Sequence, residues 1–310
     1  SNTVNYNKAG AQTIKQSASN TYYNLSISTS GTKTAGGAVT ISNLLTVQDA
    51  AIFDMSTNAL SGGGGLTMTG TSELLLGELS TTIPALSGAY SLSGGTIRFN
   101  GAGAQTIKNL NAAAPAAYYN VDFGTSGTKS LAGETSVQGE LAITGTAQLD
   151  VTASNYGINI QGNWNVSGSN ANPFIERSGT VTFNGSSAQT ITTSVLGTET
   201  FYNLTINNST GVSLVDAIAV ASLTGSGNAL TIESGAVFDA NNLAISLTGD
   251  WIDNGGTFTP GIGTVTFNGT GAQSITKGSA ATFYDITFSS SGTTTLGLSL
   301  IHISEPTRPS

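Results

Sequence analysis

The side chains best suited to nucleophilic or metal chemistry are nearly missing from this chain. It has no cysteine and one histidine, His302, near the C-terminus. A Ser-His-acid triad and a histidine-ligated zinc both need imidazole, so those classes have nothing to build on. Carboxylates remain, and paired acids can cleave glycosidic bonds. The best-spaced pair is Asp250 and Asp253 around Trp251. Asp250, however, occupies the place of Asn163 in an earlier copy of the same pattern, so the position selects a polar turn former rather than a charge. No catalytic, cofactor-binding or metal-ligating residue is therefore expected. A calcium-binding glycine repeat needs a carboxylate, yet Gly62-Gly63-Gly64-Gly65 runs into Leu66-Thr67-Met68. That stretch reads as a flexible or close-packed corner. A glycine-rich phosphate loop is excluded because no helix follows.

Two residue sets recur. Gln12, Gln105, Gln189 and Gln273 are spaced 93, 84 and 84 residues apart. Gln189 shares parity with Ile191, which predicts an amide turned inward and bonded to corner backbone, as a buried polar group requires. The second set is aromatic: Tyr22, Tyr118, Phe201 and Phe283. Alternation from Tyr202, Leu204 and Ile206, taken as inward, places Phe201 and its equivalents outward. Exposed rings could stack on sugars while neighbouring Asn or Thr side chains bind hydroxyls, so these four are the candidate glycan contacts. The alternative is that they lie beneath the variable loop that precedes them. Ice binding would need Thr-x-Thr on every coil, whereas Thr182 and Thr266 recur only once per unit.

The elements that must position these residues are written as a repeat. Gly263-Thr264-Val265-Thr266-Phe267-Asn268-Gly269, followed by Gln273-Ser274-Ile275, has close copies at 95–107 and 179–191 and a looser one at 3–14. A fixed long period marks a repeat architecture. Val181 and Phe183 alternate as in a strand. Asn184-Gly185 then supplies residues that tolerate the positive φ of a tight turn. Each copy continues, after a linker of variable length, into Tyr22-Tyr23-Asn24-Leu25, Tyr118-Tyr119-Asn120-Val121, Phe201-Tyr202-Asn203-Leu204 or Phe283-Tyr284-Asp285-Ile286. No helical period appears. Dividing each unit into four gives ~21 residues per coil, suited to a three-sided stack.

The expected fold is thus all-β: a parallel β-solenoid, a right-handed β-helix of about fourteen coils over residues 1–297, roughly 65–70 Å long. Its units are 1–94, 95–178, 179–262 and a truncated 263–297. Tandem immunoglobulin-like sandwiches are the alternative, but those carry a buried Trp in each domain, and here only two units have one.

Composition agrees with a folded β chain. Only 8% of residues are charged, 38% are hydrophobic and 40 are glycine. A net charge of −8 with nine Lys and Arg argues against nucleic acid, whose phosphates need clustered cations. No apolar run reaches the ~18 residues of a spanning helix, so membrane insertion is not expected. The opening Ser-Asn-Thr-Val lies inside a repeat copy and shows no signal peptide, which suggests a fragment of something longer. Neither end carries a capping segment, and the exposed edges predict self-association. Residues 298–308, Leu-Ser-Leu-Ile-His-Ile-Ser-Glu-Pro-Thr-Arg, resemble translated read-through of a sequencing adapter, so 298–310 reads as a non-native tail and His302 as functionless.

The pattern Gly-Thr-Val-x-Phe-Asn-Gly-x-x-x-Gln-x-Ile followed by Phe-Tyr-Asn-Leu resembles the β-strand repeat regions of large bacterial surface and secreted proteins of adhesin type. That resemblance implies an extracellular or cell-surface location and a non-enzymatic structural or adhesive role, with surface glycans or other surface proteins as partners. It supplies no catalytic residues. Pectin-degrading solenoid enzymes differ, since this chain has no Asp-Asp, Gly-His-Gly or Arg-x-Lys. A carbohydrate-binding or polysaccharide-degrading solenoid is the alternative function.

Overall fold

The computed structural model describes residues 2–15, 21–79, 82–110, 117–193, 198–221, 227–278 and 282–297. The adapter-like stretch 298–310, including His302, lies outside the described residues. Glycine and asparagine corners divide the chain into strands of two to nine residues, with no helix among the described residues. All strand pairings are parallel. That excludes the sandwich alternative, which is built from antiparallel sheets. The result is a β-solenoid of about thirteen turns.

Each turn contributes a strand to each of three sides. One side is a twelve-stranded sheet running from Gln12–Ile14 to Thr257–Thr259. A second is the eight-stranded sheet from Thr135–Val137 to Thr294–Gly297. The third comprises a four-stranded sheet beginning at Gln105–Ile107 and a five-stranded one beginning at Glu199–Phe201. In the first turns a single seven-stranded sheet covers two sides, because Val39–Val47 bends across a corner and pairs with both Leu60–Gly62 and Gly65–Met68.

The repeat and the turn are not commensurate. Thr264–Phe267 is the eleventh strand after Thr180–Phe183, and at three strands per turn a unit makes three and two-thirds turns rather than four. Turns vary in length: Tyr22 faces Ile41 in the next turn, while Trp164 faces Ile191. Equivalent motifs therefore step from side to side. Thr96–Phe99, Thr180–Phe183 and Thr264–Phe267 lie in three different sheets.

Alternation turns every second side chain inward, and the in-register pairing stacks those side chains into columns. One column runs Phe53, Leu74, Ile97, Val121, Leu141, Trp164, Ile191 and Leu214, each essentially without solvent exposure. Another takes Ile160, Phe183, Ile206 and Ile232. Large side chains fill the space between the three sheets, so the interior is a packed core rather than a channel.

Corners are harder than strands, since backbone groups leaving the ladder still need partners. The recurrent glutamines supply them. Gln189 is buried; its Oε1 accepts from Gly185 N at 2.9 Å, and its Nε2 donates to Ile160 O at 3.0 Å and to Gly162 O in the preceding turn. Gln105 repeats this with Gly101 N, Leu76 O and Glu78 O. So does Gln273 with Gly269 N, Leu247 O and Gly249 O. Gln12, in the first turn, accepts from Lys8 N at 3.2 Å and is only half-buried. The expectation for Asn-Gly needs correcting: Gly101, Gly185 and Gly269 do not have positive φ. They are glycine because a Cβ at Gly185 or Gly269 would meet a carbonyl oxygen of the preceding turn, Gln161 O or Thr248 O, at 2.2 or 2.1 Å, and one at Gly101 would meet Leu79 Cδ2 and Gln105 Cδ at 2.7 and 2.8 Å.

The next turn closes the same corner with whichever polar group is available. Lys129, in register with Gln105, is fully buried and donates to Gly101 O, Gly103 O and Ser126 O at 2.6, 3.1 and 2.9 Å. Burial pulls its ammonium down to about 8. Asn208 reaches Ser187 O and Gln189 Oε1, and Ser290 donates to Gly269 O.

Two variants test this account by denaturant unfolding. Phe183→Ala should cost ~3–5 kcal/mol, as for a buried aromatic. Gln189→Ala strips three backbone groups of a partner, at about 1–3 kcal/mol for each left unsatisfied, and should cost clearly more than Gln12→Ala. Equal costs for the two glutamines would refute the corner assignment.

Candidate functional site

The four aromatic candidates do not face solvent. Tyr22, Tyr118 and Phe201 are buried and Phe283 is half-buried against the core. Parity was carried back from Leu204 across a corner: Phe201 ends the strand Glu199–Phe201, the next strand starts at Asn203, and Tyr202 is the bend between them. The same slip appears as a register shift between Tyr22 and Asn24. The bend between the two strands turns both Phe201 and Leu204 inward. The rings are thus turned into the core and are not presented to solvent as stacking platforms for a glycan; the variable segments that precede them lie outside the described residues.

Their roles in the core divide by residue type. The Tyr22 hydroxyl donates to Lys15 O and the Tyr118 hydroxyl to Lys108 O, each three residues past the corner glutamine. Phenylalanine cannot make that bond, and Phe201 and Phe283 join aromatic trios instead. Trp164 meets Phe174 and Phe201 at 5.0 and 5.3 Å, both edge-on. Trp251 meets Phe258 and Phe283 at 4.7 and 4.9 Å, with the same tilt. The rings that do reach solvent are one position later: Tyr23, Tyr119 and Tyr284, with Tyr202 half-exposed.

Asp250 and Asp253 act on backbone. Asp250 Oδ1 accepts from Ser274 N at 2.7 Å, and Asn163 Oδ1 accepts from the equivalent Thr190 N at 2.9 Å. Asp253 is buried and accepts from Gly255 N and Gly256 N in a tight turn. The Gly62–Gly65 corner is close-packed rather than open: a Cβ on Gly65 would meet Ala89 O at 2.5 Å. Among the described residues, no group of three or more His, Cys, Asp or Glu is placed to hold a metal ion, and no helix is long and apolar enough to cross a membrane.

What the sequence reading did not find is a polar groove of about 480 Å³ on the outer face of the twelve-stranded sheet. Four successive strands carry it: Thr96–Phe99, Asn120–Phe123, Leu141–Ile143 and Trp164–Val166. Its lining includes Arg98, Asn120, Asp122, Glu140, Thr144 and Asn165, with Ala142 also contributing. Arg98 Nη1 pairs with Asp122 Oδ2 at 3.2 Å, and Nη2 reaches Glu73 Oε2 at 3.6 Å. Asp122 also accepts from Thr144 Oγ1 at 2.8 Å. It is buried although it points away from the core, and desolvation raises its pKa against the opposing pull of Thr144 and Arg98. Arg98 Nε is buried without a partner. The signal was present in the sequence: Arg98 and Asp122 occupy places held by Thr182 and Thr205 in the next unit. Comparison with known protein families, curated proteins and solved structures finds no match to this chain.

Another buried carboxyl lies inside. Glu199 is 3% exposed beside the Trp164 trio, and its Oε2 has no hydrogen-bond partner. Burial pushes it up to about 8, with the neighbouring Glu176 charge adding to the rise. A raised folded pKa means that this group's contribution is complete below the ordinary glutamate value and is lost as pH climbs through about 8. Glu199→Gln should therefore remove part of the stability loss between pH 5 and pH 9 and unfold a few degrees above the parent at pH 9. Thermal unfolding across that range checks this, and superimposable pH profiles would contradict it.

Proposed function

We propose that this chain is a non-enzymatic spacer, a stiff rod within a larger extracellular bacterial protein that holds other modules away from a surface. The observation that carries the reading is the unbroken stacking of inward side chains from turn to turn, tied at the corners by Gln105, Gln189 and Gln273. A solenoid of this kind lengthens by whole units, each contacting only its neighbours. At about 4.8 Å between turns, one 84-residue unit adds roughly 18 Å and the described rod is about 60 Å long. The repeat's resemblance to bacterial surface proteins of adhesin type supports the location. Low charge and a surface of Ser, Thr and Asn suit a passive, solvated exterior.

Paired spin labels test the reading. The chain has no cysteine, so Asn5→Cys and Thr287→Cys, both at exposed positions, give unique attachment points. The expected separation is about 60 Å with a narrow spread, shortened by roughly 18 Å on deletion of residues 179–262. A broad distribution, or no shortening, would overturn the spacer.

A further inference from the structure

A spacer has no use for the groove around Arg98, and its residues depart from the repeat at the very positions that build it. The strand Thr180-Val181-Thr182-Phe183 has Thr182 outward, and Thr266 stands at the same place in the last unit; the second unit has Arg98. Likewise Thr205 and Thr287 correspond to Asp122. Two neutral outward positions have thus become oppositely charged in one unit, in adjacent turns, and face each other in register. Ala142 is next in that column, followed by Asn165. The small alanine between two longer polar side chains helps to leave the hollow.

The lining chemistry narrows the ligand. One guanidinium stands against the carboxylates of Asp122 and Glu140, with Glu73 also on Arg98, so an anion would be repelled. No metal-holding cluster exists among the described residues. What remains is closely mixed donors and acceptors: the exposed part of the Arg98 guanidinium, the amide of Asn120, whose Oδ1 accepts from Glu140 N, that of Asn165, which reaches Glu140 Oε1 at 3.4 Å, the hydroxyls of Thr96 and Thr144, the latter donating to Asp122, and carboxylate oxygens. A sugar hydroxyl both donates and accepts, and adjacent hydroxyls match such alternation. The volume falls within the ~300–1,000 Å³ usual for small-molecule sites. We infer that this groove binds a neutral saccharide, held by Arg98, Asp122, Glu140 and Asn165 across four turns. The inference goes beyond the spacer reading and does not depend on it.

The test is calorimetric titration of the full chain with neutral hexasaccharides of glucose (α- and β-linked), mannose and xylose, and with an oligogalacturonate as the anionic comparison. At least one neutral hexasaccharide should bind, with affinity at least tenfold weaker in Ala142→Trp, which fills the hollow. Arg98→Ala and Asn165→Ala, each checked for parental circular dichroism, give the same readout if the tryptophan variant fails to fold. No binding by any neutral sugar, binding of oligogalacturonate alone, or affinity unchanged in the folded variants would overturn the site. Release of new reducing ends that depends on these residues would support the groove while overturning the non-enzymatic spacer.

Discussion

A chain that coils in parallel turns must leave its ladder at each corner, and the amides and carbonyls freed there are buried between turns. Leaving such groups unpaired costs about 1–3 kcal/mol each, so corners, more than strands, limit how regularly a solenoid can stack. In this protein one side chain type answers that constraint three times. A glutamine amide has an acceptor for the corner N–H of its own turn and two donors for carbonyls of the turn before. The glycine four residues earlier follows from the same close stacking, because a Cβ there would crowd the amide and, at Gly185 and Gly269, collide with a carbonyl of the preceding turn. So do Lys129, Asn208 and Ser290, which finish the corner from the next turn with different chemistry. The conserved geometry belongs to the backbone, and the side chains that serve it can differ.

Much of this was legible in the sequence. The inward glutamine followed from its parity with Ile191, and the structural role of Asp250 from its exchange with Asn163. Parallel coiling followed from the long period together with short alternating runs. The misreadings share a cause: period-two reasoning holds within a strand and fails across a corner. Phe201 and Leu204 are three apart and both inward, because the bend at Tyr202 separates the strand ending at Phe201 from the one beginning at Asn203. The assumption of four coils per unit failed for a related reason. Corner lengths vary, so strand count, not residue count, sets the turn, and eleven strands close only three and two-thirds turns.

That fractional turn shapes the exterior. Because equivalent motifs rotate from side to side, a repeated outward residue is spread around the rod and does not form a stripe along one face. A continuous polar surface must then come from residues that break the repeat. Arg98 and Asp122 do so, and both fall on the same sheet one turn apart. Repetition explains the core and the corners; the groove arises where repetition lapses.

Native-state amide hydrogen exchange, read residue by residue, tests the corner account most directly. If the glutamine ties hold the stack, the amides of Gly101, Gly185 and Gly269 exchange as slowly as those of the core strands Thr96–Phe99, Thr180–Phe183 and Thr264–Phe267, although they lie at turns. Exchange of those three glycines at the rate of exposed loops, with the strands still protected, would contradict it.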